Sequence, residues 1–409
     1  CACQSLCPFH IFREQADEII EDIKENKGGR TKRQAFRDKK YPRYLWSNGV
    51  NFAFHNASLF LVTSRAFTFN HGPIIRLTAR DKIVVVKGEG CWSHIGKNGG
   101  TQTLSLGAGC ESVGTAAHEI GHALGLFHTQ SRHDRDSFVT LQLQNILFVK
   151  QTEKTNYNYN LTYDYGSLMH YGATIVSKNH KPYMVPHDIK FMQTLGSPFI
   201  SFYDKLMVNM HYNCLGTCKA QSTAKCENDG YPHPRYCTWC ICPGGYGGDT
   251  CNERLSDTVG KSNYDPNGDD DEFETCNYWI KAPAGSKIEV VFQNYTENLS
   301  CDGCVVAGVE IKTLADKRHT GYRFCSSKYS GTTLVSAYNA VPITTYSRVH
   351  KATAILRYRI GNTPTRGEAH TIKFFRRTGQ QEFLNYLQKI NEQTFENLPY
   401  ELLLIGPLY

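Results

Sequence analysis

The residues best suited to chemistry lie in one stretch, HEIGHALGLFH, from His118 to His128. His118 and His122 are four residues apart, so on a helix both imidazoles project from one face and can bind one zinc ion. Glu119 stands beside the first histidine, where its carboxylate can act as general base on a zinc-bound water without binding the metal itself. This spacing predicts a zinc-dependent hydrolytic site.

Gly125 determines whether a third ligand can reach the metal. Glycine adopts positive φ without strain, so it can end the helix and turn the chain back until His128 supplies a third nitrogen. Three histidines leave one position open for water, which is typical of a catalytic rather than a structural zinc site. The alternative is three histidines without a metal. The fixed glycine and third histidine make the motif about 400-fold rarer by chance than His-Glu-X-X-His alone, which favours the metal site.

A helix and several strands must hold this stretch in place. The pattern predicts a helix over residues 114–124 and little periodicity from there to about Asn213. Upstream, a helix is predicted over residues 57–69. Alternation of apolar and polar residues predicts strands in VNFAFH, PIIRLTAR and KIVVVK. We therefore expect an α+β domain with a mixed twisted sheet and a zinc-binding helix.

The histidine stretch resembles the zinc helix of the metzincin metallopeptidases, and RHDRDSFV after it is similar to the astacin family in particular. The similarity covers nearly all of residues 34–214. It continues in YLWSNGV, CWSHIGKNGGTQTLSLGAGCESVGTAAHE, DYGSLMHYG and YDKLMVNMHYNC.

The resemblance implies one zinc ion per chain, held by the three histidines. It also implies that Met169 forms a hydrophobic floor beneath them, and that Tyr171 is an additional zinc ligand. In the family this tyrosine swings off the metal, where its phenol can donate to the oxyanion of the tetrahedral intermediate. Without the resemblance, both residues would be interpreted as ordinary core residues.

Two positions depart from the family pattern. Family members typically carry Glu directly after the third histidine, where it pairs with the N-terminus released by activation. This chain has Thr129, which cannot form that ion pair. The family also bridges an early-strand cysteine to the last cysteine of the protease domain, but PIIRLTAR has none, so Cys214 lacks that partner. A pro-segment cysteine is an alternative partner. The other bridge that the resemblance implies, Cys91 to Cys110, can form.

The sequence RTKR ending at Arg33 matches the signal cut by proprotein convertases. A helix is predicted over residues 15–27, so the signal would lie in an exposed loop after it; a solvated basic loop is the alternative. Cleavage would make residues 1–33 the C-terminal part of a pro-segment. The aspartate motif with which the family blocks its zinc does not occur there. It either lies upstream or is replaced by another device, such as a cysteine thiolate on zinc.

The composition indicates a secreted protein. The chain has 409 residues, a hydrophobic content of 40% and 16 cysteines, which are typical of an oxidising compartment or of metal clusters. A net charge of +7 is spread along the chain and does not indicate nucleic-acid binding. The longest apolar runs are too short to span a bilayer, and we expect that an upstream signal was removed or not included. The N-glycosylation pattern occurs at Asn56, Asn160, Asn294 and Asn298.

Past Cys214 the segment is rich in cysteine and poor in apolar periodicity, so disulfides rather than a core must hold it together. CENDG and the ending CICPGGYGGDTC resemble an EGF-like module. A zinc knuckle is the alternative. The EGF resemblance implies the bridges Cys218 to Cys237, Cys226 to Cys240 and Cys242 to Cys251.

Short alternating runs return after an acidic linker, at the spacing of a β-sandwich. CNYWIKAP, CVVAGVEIK and GYRFC resemble strands of a CUB domain. That resemblance implies the bridges Cys304 to Cys325 and Cys276 to Cys301. Many CUB domains bind calcium through an aspartate at the position of Ala307, so no calcium site is predicted.

The predicted function is a secreted zinc endopeptidase of the astacin type, made as a zymogen, that cleaves extracellular or matrix proteins. EGF-like and CUB modules would bind its extracellular protein partners. One alternative is a non-catalytic binding or matrix-assembly protein that keeps the protease fold as a scaffold. Another is a different metzincin, against which Tyr171 and the module order argue.

The predicted domains are 1–33 pro-segment, 34–214 protease, 215–255 EGF-like, 256–377 CUB and 378–409 a tail of unassigned function.

Overall fold

The fold is described from a computed structural model. It describes residues 35, 41–55, 74–75, 79–110, 112–142, 150–175, 177, 181–218, 223–257, 273–348, 352–361 and 369–375. Several predictions lie outside these residues: the helices over 15–27 and 57–69, the processing site at Arg33, the acceptor Asn56 and the tail 378–409. We call residues 35–214 the N-terminal region, 218–257 the cysteine-rich segment and 273–375 the C-terminal sandwich.

The first sheet consists of the three strands that the alternation predicts and two further strands that follow them in the chain. Its strands are β1 Asn51–Phe54, β2 Ile74–Ile75, β3 Lys82–Val86, β4 Cys91–Ser93 and β5 Thr101–Leu106. They lie in the order β2-β1-β3-β5-β4, and all pairs are parallel except β5 with β4. Phe52, Val85 and Leu104 pack against Ile120 of helix α1, Val113–Ala123. The mixed sheet and the helix were both predicted.

The part of the chain predicted to lack periodicity contains a second helix, α2, Phe202–His211. The prediction missed this helix because its buried face includes the polar residues Asp204 and His211, which obscure the apolar repeat. Its start carries a recognisable signal, since Ser201 and Asp204 form a reciprocal capping box. A small antiparallel ladder of β6, Val139–Leu141, and β7, Met184–Pro186, completes the described N-terminal region. Neither α1 nor α2 is long and apolar enough to cross a membrane, nor is any other described helix.

The cysteine-rich segment has two short antiparallel ladders. Its strands are β8 Tyr231–Pro232, β9 Cys240–Ile241, β10 Tyr246–Gly247 and β11 Glu253–Arg254. β8 pairs with β9, and β10 pairs with β11. The segment lies against both neighbours: Asn209 of α2 donates to the Tyr231 hydroxyl at 3.0 Å, and the Trp279 indole donates to the Gly245 carbonyl at 2.9 Å.

The C-terminal sandwich consists of two antiparallel sheets. Its strands are β12 Glu274–Lys281, β13 Ile288–Tyr295, β14 Ala307–Ile311, β15 Tyr322–Phe324, β16 Thr333–Val335, β17 Ala340–Ser347, β18 Thr353–Ile360 and β19 His370–Phe375. The sheets have the orders β12-β17-β14-β15 and β16-β13-β18-β19. Residues of both share one core, in which the rings of Phe292 and Phe324 stack at 4.7 Å. This is the β-sandwich that the turn spacing predicts.

Five of the six predicted disulfides are present. Within the described residues the bridges are Cys91–Cys110, Cys218–Cys237, Cys226–Cys240, Cys242–Cys251 and Cys304–Cys325. The pairing of Cys276 with Cys301 was wrong, since no bridge joins these two described residues. Cys276 lies opposite Thr345 in the β12–β17 ladder, whereas Cys301 lies outside the strands, directly before the short 3₁₀ turn Asp302–Cys304. A bridge requires a specific separation and direction of the two side chains, which cysteine spacing alone does not ensure.

The C-terminal sandwich packs directly on the N-terminal region. The Tyr203 hydroxyl donates to Asp316 at 2.5 Å, and Arg323 donates to the Ser197 hydroxyl at 2.7 Å. The closest approach is at Gly303, whose φ is +67° and where an added Cβ would clash with the Gly196 carbonyl oxygen. Only a residue without a side chain fits between the two backbones.

Gly303→Ala should therefore lower stability by more than the cost of positive φ alone. Gly285 is the matched control, since its φ is +80° in the same sandwich but a Cβ added there would meet nothing within 4 Å. We expect Gly303→Ala to cost about 2 kcal/mol more than Gly285→Ala, which is about 4 °C in Tm. Thermal unfolding of both variants measures this, and equal losses would show that the close approach does not matter.

Candidate metal centre

Helix α1 carries the first two histidines and the glutamate on its buried side. The helix begins after Ser112, whose hydroxyl accepts from the Thr115 backbone N–H at 3.0 Å as an N-cap. His118 and His122 are 6% and 5% exposed, and Glu119 is fully buried. Burial lowers the pKa of His118 to about 4, so the ring is neutral at physiological pH, as a metal ligand must be.

The turn after α1 brings the third histidine to the first two. Gly125 has a φ of +96°, its N–H donates to the His122 carbonyl at 2.8 Å, and the N–H of Leu126 donates to the Gly121 carbonyl at 2.9 Å. This pair of hydrogen bonds is a Schellman motif, which ends the helix and reverses the chain. Three residues later, His128 faces the helix.

The three imidazoles meet at one point. Nε2 of His128 lies 3.2 Å from Nε2 of His118 and 3.2 Å from Nε2 of His122. Three nitrogens bound tetrahedrally to one zinc ion at 2.0–2.1 Å would lie about 3.4 Å apart. Among the described residues, this is the group of histidine, cysteine and acidic side chains that could hold a metal ion. The geometry fits zinc.

Backbone carbonyls fix which nitrogen of two of these rings faces the metal position. His118 Nδ1 donates to the Leu168 carbonyl at 2.9 Å, and His122 Nδ1 donates to the Leu126 carbonyl at 2.8 Å. Because Nδ1 carries the proton in both rings, each Nε2 has a lone pair directed at the shared point. No local pattern in the amino-acid sequence indicates these two carbonyl partners.

Tyr171 and Met169 both lie against the histidines. The Tyr171 ring centroid is 4.2 Å from that of His128, and the side chain is buried. Burial raises the pKa of Tyr171, and the nearby Glu119 carboxylate raises it further. Met169 packs under α1, where a Cβ on Gly121 would lie 2.7 Å from its sulfur. Gly121 is thus needed for this close contact, a role that was not predicted.

Thr129 joins a buried polar network in place of the glutamate typical of the family. Its hydroxyl donates to that of Ser167 at 3.0 Å, and Ser167 donates to Asp204 at 2.5 Å. Asp204 also accepts from the backbone N–H of Leu168 at 2.8 Å. The network therefore connects α2 to the carbonyl-bearing residue that orients His118. Ala35, two residues after the predicted cleavage site, is buried close by and forms an isolated antiparallel bridge with Leu126.

The predicted glycosylation acceptors within the described residues are accessible. Asn160, Asn294 and Asn298 are all exposed.

Cys214, whose partner the sequence could not identify, is not bridged in the part of the chain that the structure describes.

Comparison with known proteins gives consistent matches. The family model of the astacin peptidases matches residues 61–213. Zinc metalloproteinase nas-31 of Caenorhabditis elegans is 40% identical over 373 residues, which are 84% of this chain and 60% of the relative. Zinc metalloproteinase nas-23 of the same organism is 34% identical over 391 residues, 87% of this chain and 72% of the relative. The chain thus spans about three fifths of the first relative's length and about seven tenths of the second's.

Among solved structures, one match is High choriolytic enzyme 1, a hatching enzyme zinc-protease from Oryzias latipes. It is 27% identical, and the match covers 44% of this chain and 94% of that chain with a TM-score of 0.37.

Substitution of His128 should impair zinc binding specifically. Changes to the outer partners of zinc ligands cost about 10- to 100-fold in affinity, so we expect His128→Gln to lose at least about 100-fold. The matched control is His133→Gln, a partly buried histidine that bonds Asn156 instead. Chelator competition and metal analysis should find one zinc per chain in the wild type and the control. Unchanged affinity in His128→Gln would contradict this ligand set.

The Asp204 network should make stability depend on pH. Burial raises the pKa of Asp204 to about 6, from the usual 3.8. The folded chain therefore binds more protons than the unfolded chain between these values, and stability falls as the pH rises through them. From about pH 4 to pH 7 we expect the wild type to lose about 3 kcal/mol relative to Asp204→Asn, which has no proton to release. Thermal unfolding across this range tests it; parallel curves for the two proteins would refute it.

Proposed function

The chain belongs to the astacin family of zinc metalloproteinases, and from this premise we propose that it is an endopeptidase that hydrolyses peptide bonds of extracellular or matrix proteins. One observation carries the proposal: the convergence of three histidine Nε2 atoms on one point. Its cofactor is zinc. A sequence that kept the fold only as a scaffold would have no need of two rings with fixed tautomers and a third ring directed at the same point.

His118, His122 and His128 would hold the zinc, and Tyr171, whose ring centroid is 4.2 Å from that of His128, would be the additional ligand. Zinc in such a site supplies Lewis acidity, which polarises the scissile carbonyl and lowers the pKa of a water molecule towards neutrality. Glu119 is adjacent to the first ligand, and its carboxylate takes a proton from the attacking water and delivers it to the leaving amine nitrogen. The Tyr171 phenol donates a hydrogen bond to the oxyanion of the tetrahedral intermediate.

The remaining assignments complete the proposal. The chain is secreted as a zymogen and cleaved after Arg33. Residues 215–255 form an EGF-like module and residues 256–377 a CUB domain, which together bind extracellular protein partners. The three bridges of the cysteine-rich segment and the two packed sheets of the C-terminal sandwich support these modules. Exposure of Asn160, Asn294 and Asn298 supports N-glycosylation.

Glu119→Gln should abolish turnover while zinc stays bound. The amide keeps the size of the side chain but cannot take a proton, and loss of a general base costs about 10²- to 10⁴-fold in kcat. Glu153→Gln, at an exposed position of the same region, is the control. The chain without residues 1–33 is incubated with a proteome-derived peptide library, and cleavage sites and metal content are determined for each variant.

The outcomes separate the two functions considered. Cleavage that Glu119→Gln and a zinc chelator both eliminate, with Glu153→Gln unaffected, supports the endopeptidase and gives its subsite preference. Near-wild-type cleavage by Glu119→Gln would refute the role of this residue. No cleavage by the zinc-loaded wild type would favour the scaffold protein.

A further inference from the structure

The segment that carries Tyr171 has irregular backbone, and side chains supply several of its hydrogen-bond partners. The N–H of Tyr171 donates to the Gln130 side-chain oxygen at 3.0 Å. The carbonyl of Gly172 accepts from the Tyr183 hydroxyl at 3.0 Å, and that of Ala173 accepts from the Tyr183 N–H at 3.0 Å. All of these partners belong to the N-terminal region.

The next anchor comes from the C-terminal sandwich. Oδ2 of Asp302 accepts from the Thr174 N–H at 2.6 Å and from the Thr174 hydroxyl at 2.8 Å. These residues are 128 positions apart in sequence. Hydrogen bonds to an ionised acceptor are about twice as strong as neutral ones, so this contact is well suited to hold a loop. It lies three residues from the Tyr171 side chain.

Asp302 reaches Thr174 because the two backbones approach closely at this point. A Cβ on Gly172 would lie 2.6 Å from the Asp302 Cβ, so the aspartate lies directly against the residue that follows Tyr171. Asp302 is itself fixed, since Gly303 after it meets the Gly196 carbonyl, and Cys304 is bridged to Cys325. The carboxylate therefore has a rigid base in the sandwich.

We propose that Asp302 is a positioning residue for Tyr171, so that the C-terminal sandwich completes the active site of the N-terminal region. Asp302 holds the Thr174 end of the segment, Gln130 and Tyr183 hold the rest, and the phenol of Tyr171 is thereby kept beside His128. This inference rests on the proposed function, in which Tyr171 acts next to the zinc and on the oxyanion.

A second contact between the C-terminal sandwich and the N-terminal region can distinguish positioning of Tyr171 from a general contribution to the interface. Asp316 is also a sandwich carboxylate that accepts a hydroxyl from the N-terminal region, that of Tyr203 at 2.5 Å. Tyr203 lies on α2 and not on the Tyr171 segment. Loss of Asp316 thus weakens docking of the sandwich without removing an anchor from that segment, which makes Asp316→Ala the matched control.

The experiment compares Asp302→Ala, Asp302→Asn, Asp316→Ala and the wild type. Each protein is the chain after cleavage at Arg33, with every later residue kept. The readouts are kcat and KM on one peptide, zinc affinity by chelator competition, and Tm. Each protein is also loaded with Cu²⁺, because a phenolate bound to copper gives a charge-transfer absorption band that reports the position of Tyr171 without turnover.

We expect Asp302→Ala to lower kcat about tenfold with KM within about twofold, because displacement of a group that acts in the transition state affects the chemical step. The copper band should weaken or shift, while zinc affinity falls far less than in His128→Gln because the three histidine ligands are unchanged. Asp302→Asn should recover kcat to within about threefold, since the amide oxygen still accepts from Thr174. Asp316→Ala should lower Tm but leave kcat and the band unchanged.

The proposal would be overturned if Asp302→Ala kept the wild-type kcat and the wild-type copper charge-transfer band. It would also be overturned if Asp302→Ala and Asp316→Ala lost kcat equally. If Asp302→Ala does not fold, Thr174→Val replaces it, because this variant removes the hydroxyl that donates to Asp302. Its kcat and copper band are then compared with those of the wild type and of Asp316→Ala. An inactive wild type would refute the proposed endopeptidase instead, and the copper band would still decide whether Asp302 positions Tyr171.

Discussion

Three imidazole nitrogens must meet at one point, and most of the N-terminal region is arranged to meet this requirement. Two of the rings come from one helix face, and the third needs a chain reversal at Gly125 with a φ of +96°. Each helical ring must also present Nε2 rather than Nδ1, which the carbonyls of Leu168 and Leu126 ensure. The metal position therefore depends on backbone far from α1 in sequence.

That dependence explains the irregular segment formed by residues 167–174. It forms no helix or strand, so each of its backbone N–H groups needs a separate hydrogen-bond partner. Asp204 of α2 accepts from Leu168, Gln130 from Tyr171, and Asp302 of the sandwich from Thr174. Several elements at once therefore hold the backbone of this segment in one conformation, which suits the role proposed for Tyr171 beside the zinc.

The sequence predicts well the elements that have a repeating apolar pattern. It predicts poorly the hydrogen bonds that single polar side chains make. Alternation predicted β1, β3 and most of the sandwich strands but not β16 or β17, and helical spacing with a terminal glycine predicted α1. Helix α2 was missed because buried Asp204 breaks its apolar pattern, although its capping box was readable. The roles of Asp204 and Asp302 have no local signal, since their partners lie 36 and 128 residues away. The pairing of Cys276 with Cys301 failed because cysteine spacing does not fix the separation and direction of the two side chains.

The binding of one zinc ion by the three histidines is the point on which everything else depends. Anomalous diffraction at the zinc absorption edge, from crystals of the full chain grown without added metal, tests it most directly. We predict one strong anomalous peak at about 2.1 Å from Nε2 of His118, His122 and His128. Zinc located elsewhere, such as at Cys214 or Cys276, with no peak between the histidines, would contradict it.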